Sequence, residues 1–214
     1  MLNQFYTLGD YGEARWEEKK SLFIAGASPV VSEAEAIEFI NDIKIKYNDA
    51  RHHVYAYVIG ENNEIQRFSD DGEPAGTGGR PVLDVIRNCR LKNTIIVVTR
   101  YFGGILLGTG GLIRAYGKSA ALAVKSGGIV KKKLYRKATI FLEYGELGKV
   151  QNFLATQTGC RIKNISYTDK VTITCHIEIQ RIGQVEKWLN DLYRVSGKIT
   201  FHENLYETEK LNRE

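Results

Sequence analysis

The sequence predicts an α+β protein of two domains, residues 1–136 and 137–214. Three observations carry that prediction. Runs of β-branched and aromatic residues of strand length alternate with amphipathic helical patterns along the whole chain. The pattern changes character near Arg136-Lys137. The last roughly 70 residues then follow the order βαββαβ, which is that of a ferredoxin-like domain.

In chain order, residues 21–27 read as a strand ended by Ser28-Pro29. Ser32 is placed as an N-cap, and Glu33 and Glu35 fall in the first turn, where the helix dipole favours acids. Ala36, Ile37, Ile40, Ile43 and Tyr47 recur at helical spacing, so a helix is expected over 33–47. Residues 53–59 form a strand ended by Gly60 and an Asn62-Asn63 turn, followed by a short run over 65–68. Residues 69–74 are turn formers, too polar for an element interior. A helix over 81–90 turns Val82, Leu83, Ile86 and Cys89 towards a core. Residues 94–99 are a continuous apolar run, the mark of a central strand buried on both faces. A helix over 110–125 is stopped by Gly127-Gly128, and 129–135 is the last strand of the first domain. The second domain reads as strand 138–142, helix 145–157, a hairpin of 161–167 and 170–179 about Thr168-Asp169, helix 184–195 and strand 198–206. Gly183 stands at the start of that last helix and Gly197 beyond its end.

Composition is that of an ordinary globular chain, 43% hydrophobic and 26% charged. No apolar run approaches the ~20 residues of a membrane span, and the N-terminus has no secretory pattern. Cys89, Cys160 and Cys175 are odd in number and widely spaced, so free thiols and a cytoplasmic location are expected. Charge is sharply segregated. Residues 1–79 hold 7 Lys/Arg against 14 Asp/Glu, whereas 80–136 hold 12 against the single acid Asp84. Such a basic segment invites an anionic partner, unless the acidic segment folds over it.

The strongest motif lies just ahead of this basic segment and within it. Gly76-Thr77-Gly78-Gly79 is repeated as Gly108-Thr109-Gly110-Gly111, each copy just ahead of a helix-compatible run. Free backbone amides backed by the positive end of a helix make an anion site, and phosphate is the commonest anion found there. Arg114, Lys118 and Lys125 fall on one side of the second helix, and Arg80 and Arg87 share a face of the first. Arg100 and Tyr101, followed by Gly103 and Gly104, end the buried strand, where a guanidinium and a ring suit phosphate contact and base stacking. Tyr101 is the expected platform and Phe102 the core ring. Asp70, Asp71 and Glu73 form an acidic turn. Its spacing is not that of a calcium loop, so capping opposite nearby arginines is the expected role and a metal site the alternative.

Enzyme motifs fail on inspection. Gly117-Lys118-Ser119 resembles the end of a P-loop, but Leu112 stands where its first glycine belongs. Pro81 and Ile113 interrupt G-x-G-x-x-G in both glycine loops, and no G-x-S-x-G is present. His52, His53, His176 and His202 show no metal-ligand spacing with the cysteines. The reading is therefore a protein without catalytic residues, metal or cofactor, a monomer that binds RNA or the ribosome. Two alternatives stay open: a hydrolase or other enzyme on a small phosphorylated or peptide-like substrate, with Asp70, Asp71, Glu73 and His53 in play, and an adaptor whose basic face meets an acidic protein.

Residues 67–81 (Arg-Phe-Ser-Asp-Asp-Gly-Glu-Pro-Ala-Gly-Thr-Gly-Gly-Arg-Pro) and 97–112 (Val-Val-Thr-Arg-Tyr-Phe-Gly-Gly-Ile-Leu-Leu-Gly-Thr-Gly-Gly-Leu) resemble the signature of the IMPACT family. The likeness extends through residues 49–57 and the length of the second domain, as in the bacterial YigZ-type members. It implies an N-terminal domain with the fold of the second domain of ribosomal protein S-five, beside a C-terminal ferredoxin-like domain. It also implies a place in the regulation of translational initiation, because eukaryotic relatives act on the activation of an initiation-factor kinase. The expected partners are RNA or the ribosome, and a protein of the translation machinery.

Overall fold

In chain order the elements are β1 (Gln4–Leu8), β2 (Gly12–Glu18), β3 (Ser21–Pro29), α1 (Glu33–Lys46), β4 (His52–Ile59), β5 (Ile65–Ser69), α2 (Gly79–Asn88), β6 (Thr94–Tyr101), α3 (Gly108–Gly127), β7 (Ile129–Leu142), α4 (Leu147–Thr156), β8 (Cys160–Tyr167), β9 (Val171–Glu178), α5 (Ile182–Tyr193) and β10 (Ile199–Lys210). They belong to a computed structural model that describes residues 1–193 and 199–210. The expected helix end at Val195, the stop at Gly197 and the strand start at Lys198 lie outside the described residues. The chain forms two units, Phe5–Lys131 and Met1–Gln4 with Lys132–Thr208.

The first unit is built on an antiparallel sheet of order β2-β3-β6-β4-β5. The expected apolar run is its central strand, and alternation explains why the run is unbroken. Ile96 and Val98 turn to the face where Val82, Leu83, Ile86, Leu112, Tyr116 and Ala120 of α2 and α3 pack. Ile95 and Val97 turn to the other face, covered by Ala36, Ile40 and Ile43 of α1. The start of α1 is as expected: Ser32 Oγ accepts from the Glu35 amide at 3.2 Å, and Glu35 Oε2 accepts from the Val31 amide at 2.8 Å.

The strands β1 and β2 have no counterpart in the sequence reading. For β2 the reason is a turn without its usual residues. β2 and β3 pair up to Glu18 opposite Ser21, so Lys19 and Lys20 alone make the hairpin turn, with φ of 46° and 64°. Asn and Gly are the residues that normally announce two left-handed positions, and a Lys pair gives no such signal. Once formed, β2 turns Ala14 and Trp16 to the α3 side of the core.

The second unit has the expected ferredoxin-like order of elements, with β10 beside β7, then β9, then β8. β9 alternates strictly, burying Val171, Ile173, Cys175 and Ile177 against Val150, Leu154, Val185 and Leu189. Phe153 and Trp188 stack in parallel with ring centroids 3.8 Å apart. Glu207, buried, draws Lys163 Nζ to 2.6 Å and also binds Arg161 and His176. The runs 129–135 and 138–142 are one strand, not two. The charged residues at Lys131–Lys133 and Arg136-Lys137 suggest a break, but in β7 they sit at the surface or half-buried while Leu134, Tyr135 and Ala138 are buried. No described helix is long and apolar enough to cross a membrane.

β2 meets the end of α3 so closely that only glycine fits at Gly12: a Cβ there would lie 2.2 Å from the Gly127 amide nitrogen and 2.3 Å from the Ala123 carbonyl oxygen. Gly12→Ala is expected to cost about 2–3 kcal/mol, measured as a lower urea midpoint at unchanged m-value.

Candidate anion-binding site

The acidic turn after β5 settles what becomes of the first glycine loop. Asp70 Oδ2 accepts from the Gly76 amide at 2.8 Å, and Oδ1 accepts from the amides of Gly78 and Gly79 at 2.9 and 2.8 Å. The Thr77 amide and hydroxyl both donate to the Pro74 carbonyl, at 3.0 and 2.7 Å. The anion this loop binds is thus a carboxylate of its own chain. Its glycines serve packing: a Cβ on Gly79 would strike the Ser69 backbone at 2.7 Å, and one on Gly78 the Val54 side chain at 2.9 Å. The expectation that Gly76, Thr77, Gly78 and Gly79 stand open to an external phosphate is corrected here. Sequence shows the donors but not the acceptor that reaches them from six to nine residues upstream.

Asp71 and Glu73 also turn inward. Asp71 Oδ2 accepts from the His53 amide at 2.6 Å, and Lys44 lies 4.0 Å from the same carboxylate. Glu73 Oε1 accepts from Arg100 Nη1 and from Tyr116 Oη, both at 2.7 Å, where Arg100 is 7% and Tyr116 0% exposed. Burial, and then the carboxylate, drive the Tyr116 hydroxyl far above its ordinary pKa. Arg100 is therefore not a free surface cation. Its guanidinium lies over the rings of Phe23 and Phe102 at 5.5 and 5.6 Å, and its Nη2 is 3.4 Å from Ser21 Oγ. Removing one partner of such a buried pair leaves an uncompensated charge, at a cost of about 3–5 kcal/mol. The three acids therefore cap and clamp, as the sequence favours. Among the described residues no group of three His, Cys, Asp or Glu is placed to hold a metal.

The second glycine loop is built differently. α3 opens at Gly108 with Leu107 as N-cap and no capping side chain. Among the described residues nothing accepts from the first-turn amides of Gly108, Thr109 and Gly110, which are exposed. Arg114, one turn on, folds back beside them: a Cβ on Gly110 would lie 3.6 Å from its Nη1. Gly104 and Gly108 have φ of 82° and 71°, a conformation that favours glycine, with open space around both. Gly103 is a packing glycine, whose Cβ would meet the Lys20 backbone at 2.0 Å.

Beside this helix end lies a cleft of about 660 Å³. Its walls come from Asp49, Arg51 and His52 before and at the start of β4, Glu73 and Pro74, Arg100 to Phe102, and Leu106 to Thr109. The structure thus gathers Glu73, Arg100, Tyr101, Gly108 and Thr109 from the expected set, and leaves the first loop and Arg80 outside the lining. Arg80 pairs instead with Asp84 at 3.1 Å, and Arg87 with Gln66. Of the two aromatics Phe102, not Tyr101, is the exposed ring, and Tyr101 is half-buried. Tyr101, the last residue of β6, donates to Asp49 Oδ1 at 2.6 Å, which raises its pKa to about 12. Phe102 is past the strand, where alternation no longer governs side-chain direction, and is 55% exposed. Arg51, His52 and the 83%-exposed Leu106 are lining residues that sequence reasoning does not single out as site residues. The signal for Leu106 was an apolar triplet, Ile105-Leu106-Leu107, set between glycines.

Arg114, Lys118 and Lys125 are exposed along α3, with no carboxylate of the described residues in ion-pair reach. Lys118 Nζ lies 5.6 Å from the Trp16 ring centroid. The acidic segment neutralises the basic one where Glu73 meets Arg100, and leaves this stripe charged.

Residues 19–124 match the Impact N-terminal domain, and residues 140–194 match a domain of unknown function, DUF1949. The IMPACT family member YvyE of Bacillus subtilis is 42% identical over 212 residues, 99% of this chain and 97% of its own. The family member YigZ of Escherichia coli is 35% identical over 84% of this chain and 89% of its own. The chain belongs to the IMPACT family. A crystal structure described as that of a hypothetical protein covers both chains fully at 29% identity with a TM-score of 0.61. Yih1, described as a two-domain translational regulator, is 28% identical over 57% of this chain and 47% of its own, with a TM-score of 0.36, too low for a structural correspondence.

Two outcomes follow from the inward-turned acids. Asp70→Ala removes the acceptor for three amides, two of them buried, and is expected to destabilise the fold by about 2–4 kcal/mol in urea unfolding. His53 is buried with its Nδ1 3.1 Å from Thr99 Oγ1, and burial lowers its pKa, with Asp71 opposing and Lys44 and His52 adding to the shift. A folded pKa below the unfolded value means that the unfolded chain binds more protons as pH falls below about 6.5. Stability should therefore decline on acidification through that value, and His53→Gln should flatten the decline in thermal melts taken from pH 7.5 to 5.

Proposed function

We propose that this protein regulates translation in the cytoplasm by binding RNA, free or on the ribosome, through the N-terminal end of α3 and the basic stripe that follows it. The observation that carries the reading is the pairing of three unshared first-turn amides with the Arg114 guanidinium beside Gly110. Amides and a guanidinium together match the oxygens of a phosphate in charge and in hydrogen-bonding sense. Arg114, Lys118 and Lys125 continue the positive surface along the helix. Membership of the IMPACT family supports the translational setting, through what the resemblance implies for the eukaryotic relatives.

In this reading the roles differ from those the sequence suggests. Arg100 and the first glycine loop hold the architecture, while Gly108, Thr109, Gly110, Arg114 and Lys118 meet the ligand. Phosphate contacts of this kind release counterions, so affinity depends steeply on salt. Ribosome co-sedimentation between 50 and 300 mM salt (about the range over which such contacts weaken by orders of magnitude) is expected to show a linear log–log decline. The double variant Arg114→Glu, Lys118→Glu should weaken binding at least about tenfold and flatten the slope by roughly 1.5. A titration indifferent to salt and to both substitutions, or capture of a protein that survives nuclease treatment, would remove RNA from the proposal.

A further inference from the structure

We propose that the cleft beside α3 is a pocket for a nucleoside monophosphate unit, either a free mononucleotide or the phosphorylated end of an RNA strand. The inference rests on the preceding reading of the α3 terminus as a phosphate site and names what the cleft adds to it. At about 660 Å³ it lies within the ~300–1,000 Å³ of small-ligand pockets and is lined by a single unit of the chain.

Its lining is chemically mixed. It includes the open amides of Gly108 and Thr109 and the side chain of Arg51. A second observation, independent of the helix end, points the same way. The Arg100 side chain, 93% buried by its 7% exposure, forms part of the wall, and its Nε is a buried donor with no acceptor among the described residues. Buried guanidinium nitrogens are rarely left unmatched, so Arg100 keeps one donor that the described residues do not match. The lining also has apolar and aromatic members. Phe102 and Leu106 are 55% and 83% exposed, and the Arg100 guanidinium lies 5.6 Å from the Phe102 ring centroid. An aromatic ring backed by a guanidinium is a stacking surface for a base.

Asp49 and His52 add acceptors to the lining that suit a ribose or a base edge. His52 Nδ1 is 2.8 Å from the Asp71 carbonyl oxygen, which accepts only from a protonated nitrogen, so Nε2 of the neutral ring is an acceptor. Asp49 uses Oδ1 for Tyr101 and retains Oδ2. A phosphate alone would leave the ring, the leucines and both acceptors without contact; a nucleoside without phosphate would leave the amides.

Binding of AMP, GMP, CMP and UMP to the full chain, measured by calorimetry beside inorganic phosphate and the unphosphorylated nucleosides, tests the assignment. The monophosphates are expected to bind at least tenfold more tightly than either fragment. Gly110→Asp sets a carboxylate among the amides and next to Arg114, at a position where an added Cβ makes only an ordinary 3.6 Å contact and an acid suits the helix start. It should cut affinity at least tenfold with an unchanged melting temperature. Leu106→Glu, at an exposed position, should do so several-fold. A 5′-phosphorylated hexaribonucleotide that binds more tightly than the mononucleotide, with loss in its 5′-hydroxyl form, identifies a strand end as the source; equal or weaker binding identifies the free nucleotide. Monophosphates that bind no better than inorganic phosphate, or that ignore both variants, overturn the pocket. If Gly110→Asp still abolishes ribosome co-sedimentation in that case, the reading of α3 stands and only the pocket falls. If it leaves co-sedimentation intact, the reading of α3 falls as well.

Discussion

Arg100 ends the central strand with a permanent charge in a place that water hardly reaches, and the carboxylate of Glu73 is what makes that position tenable. The pair does not act alone. Tyr116 of α3 donates to the same carboxylate oxygen, so one oxygen ties β6, the acidic turn and α3 together. With Glu73 fixed, its neighbours have little freedom left. Asp70 falls beneath the start of α2 and takes three amides, and Asp71 takes the amide of His53 on β4. Four elements are therefore positioned by three acids within four residues, Asp70, Asp71 and Glu73. An isolated surface ion pair contributes little to such positioning, whereas a buried pair fixes geometry because breaking it leaves a charge unmet in the interior.

The two Gly-Thr-Gly-Gly copies show how far context outweighs local sequence. Both open helices, and both bring unsatisfied amides to that opening. At α2 an internal carboxylate meets them, and the glycines exist so that the loop can lie against Ser69 and Val54. At α3 no carboxylate arrives; an arginine does. The same chemical grip is used by the fold in one copy and left unused by the described residues in the other.

That division also explains the segregated charge. Most of the acids before position 80 are not a shield for the cations that follow. Glu73 neutralises the buried Arg100, Glu13 and Glu33 pair with Lys46 and Arg67 of their own segment, and the α3 stripe stays exposed. That positive helix flank, beside a cleft with an aromatic wall, is the surface on which the proposed RNA and nucleotide contacts rest.

Local physics made much of this protein readable from its residues. Alternation and apolar continuity identified β6, helical spacing with a Ser cap identified α1, and the βαββαβ order identified the second unit, because each depends on neighbours within a few positions. The glycine loops and the acidic turn were legible as chemistry for the same reason. What the residues could not show was which donor meets which acceptor. Lys19-Lys20 turns a hairpin without a turn residue, β7 runs straight through its charged positions, Phe102 rather than Tyr101 is the exposed ring, and Asp70 chooses one glycine loop over its twin. Those outcomes depend on groups brought together from distant parts of the chain, and a buried charge or amide is satisfied by whatever packing delivers to it, which only the folded structure determines.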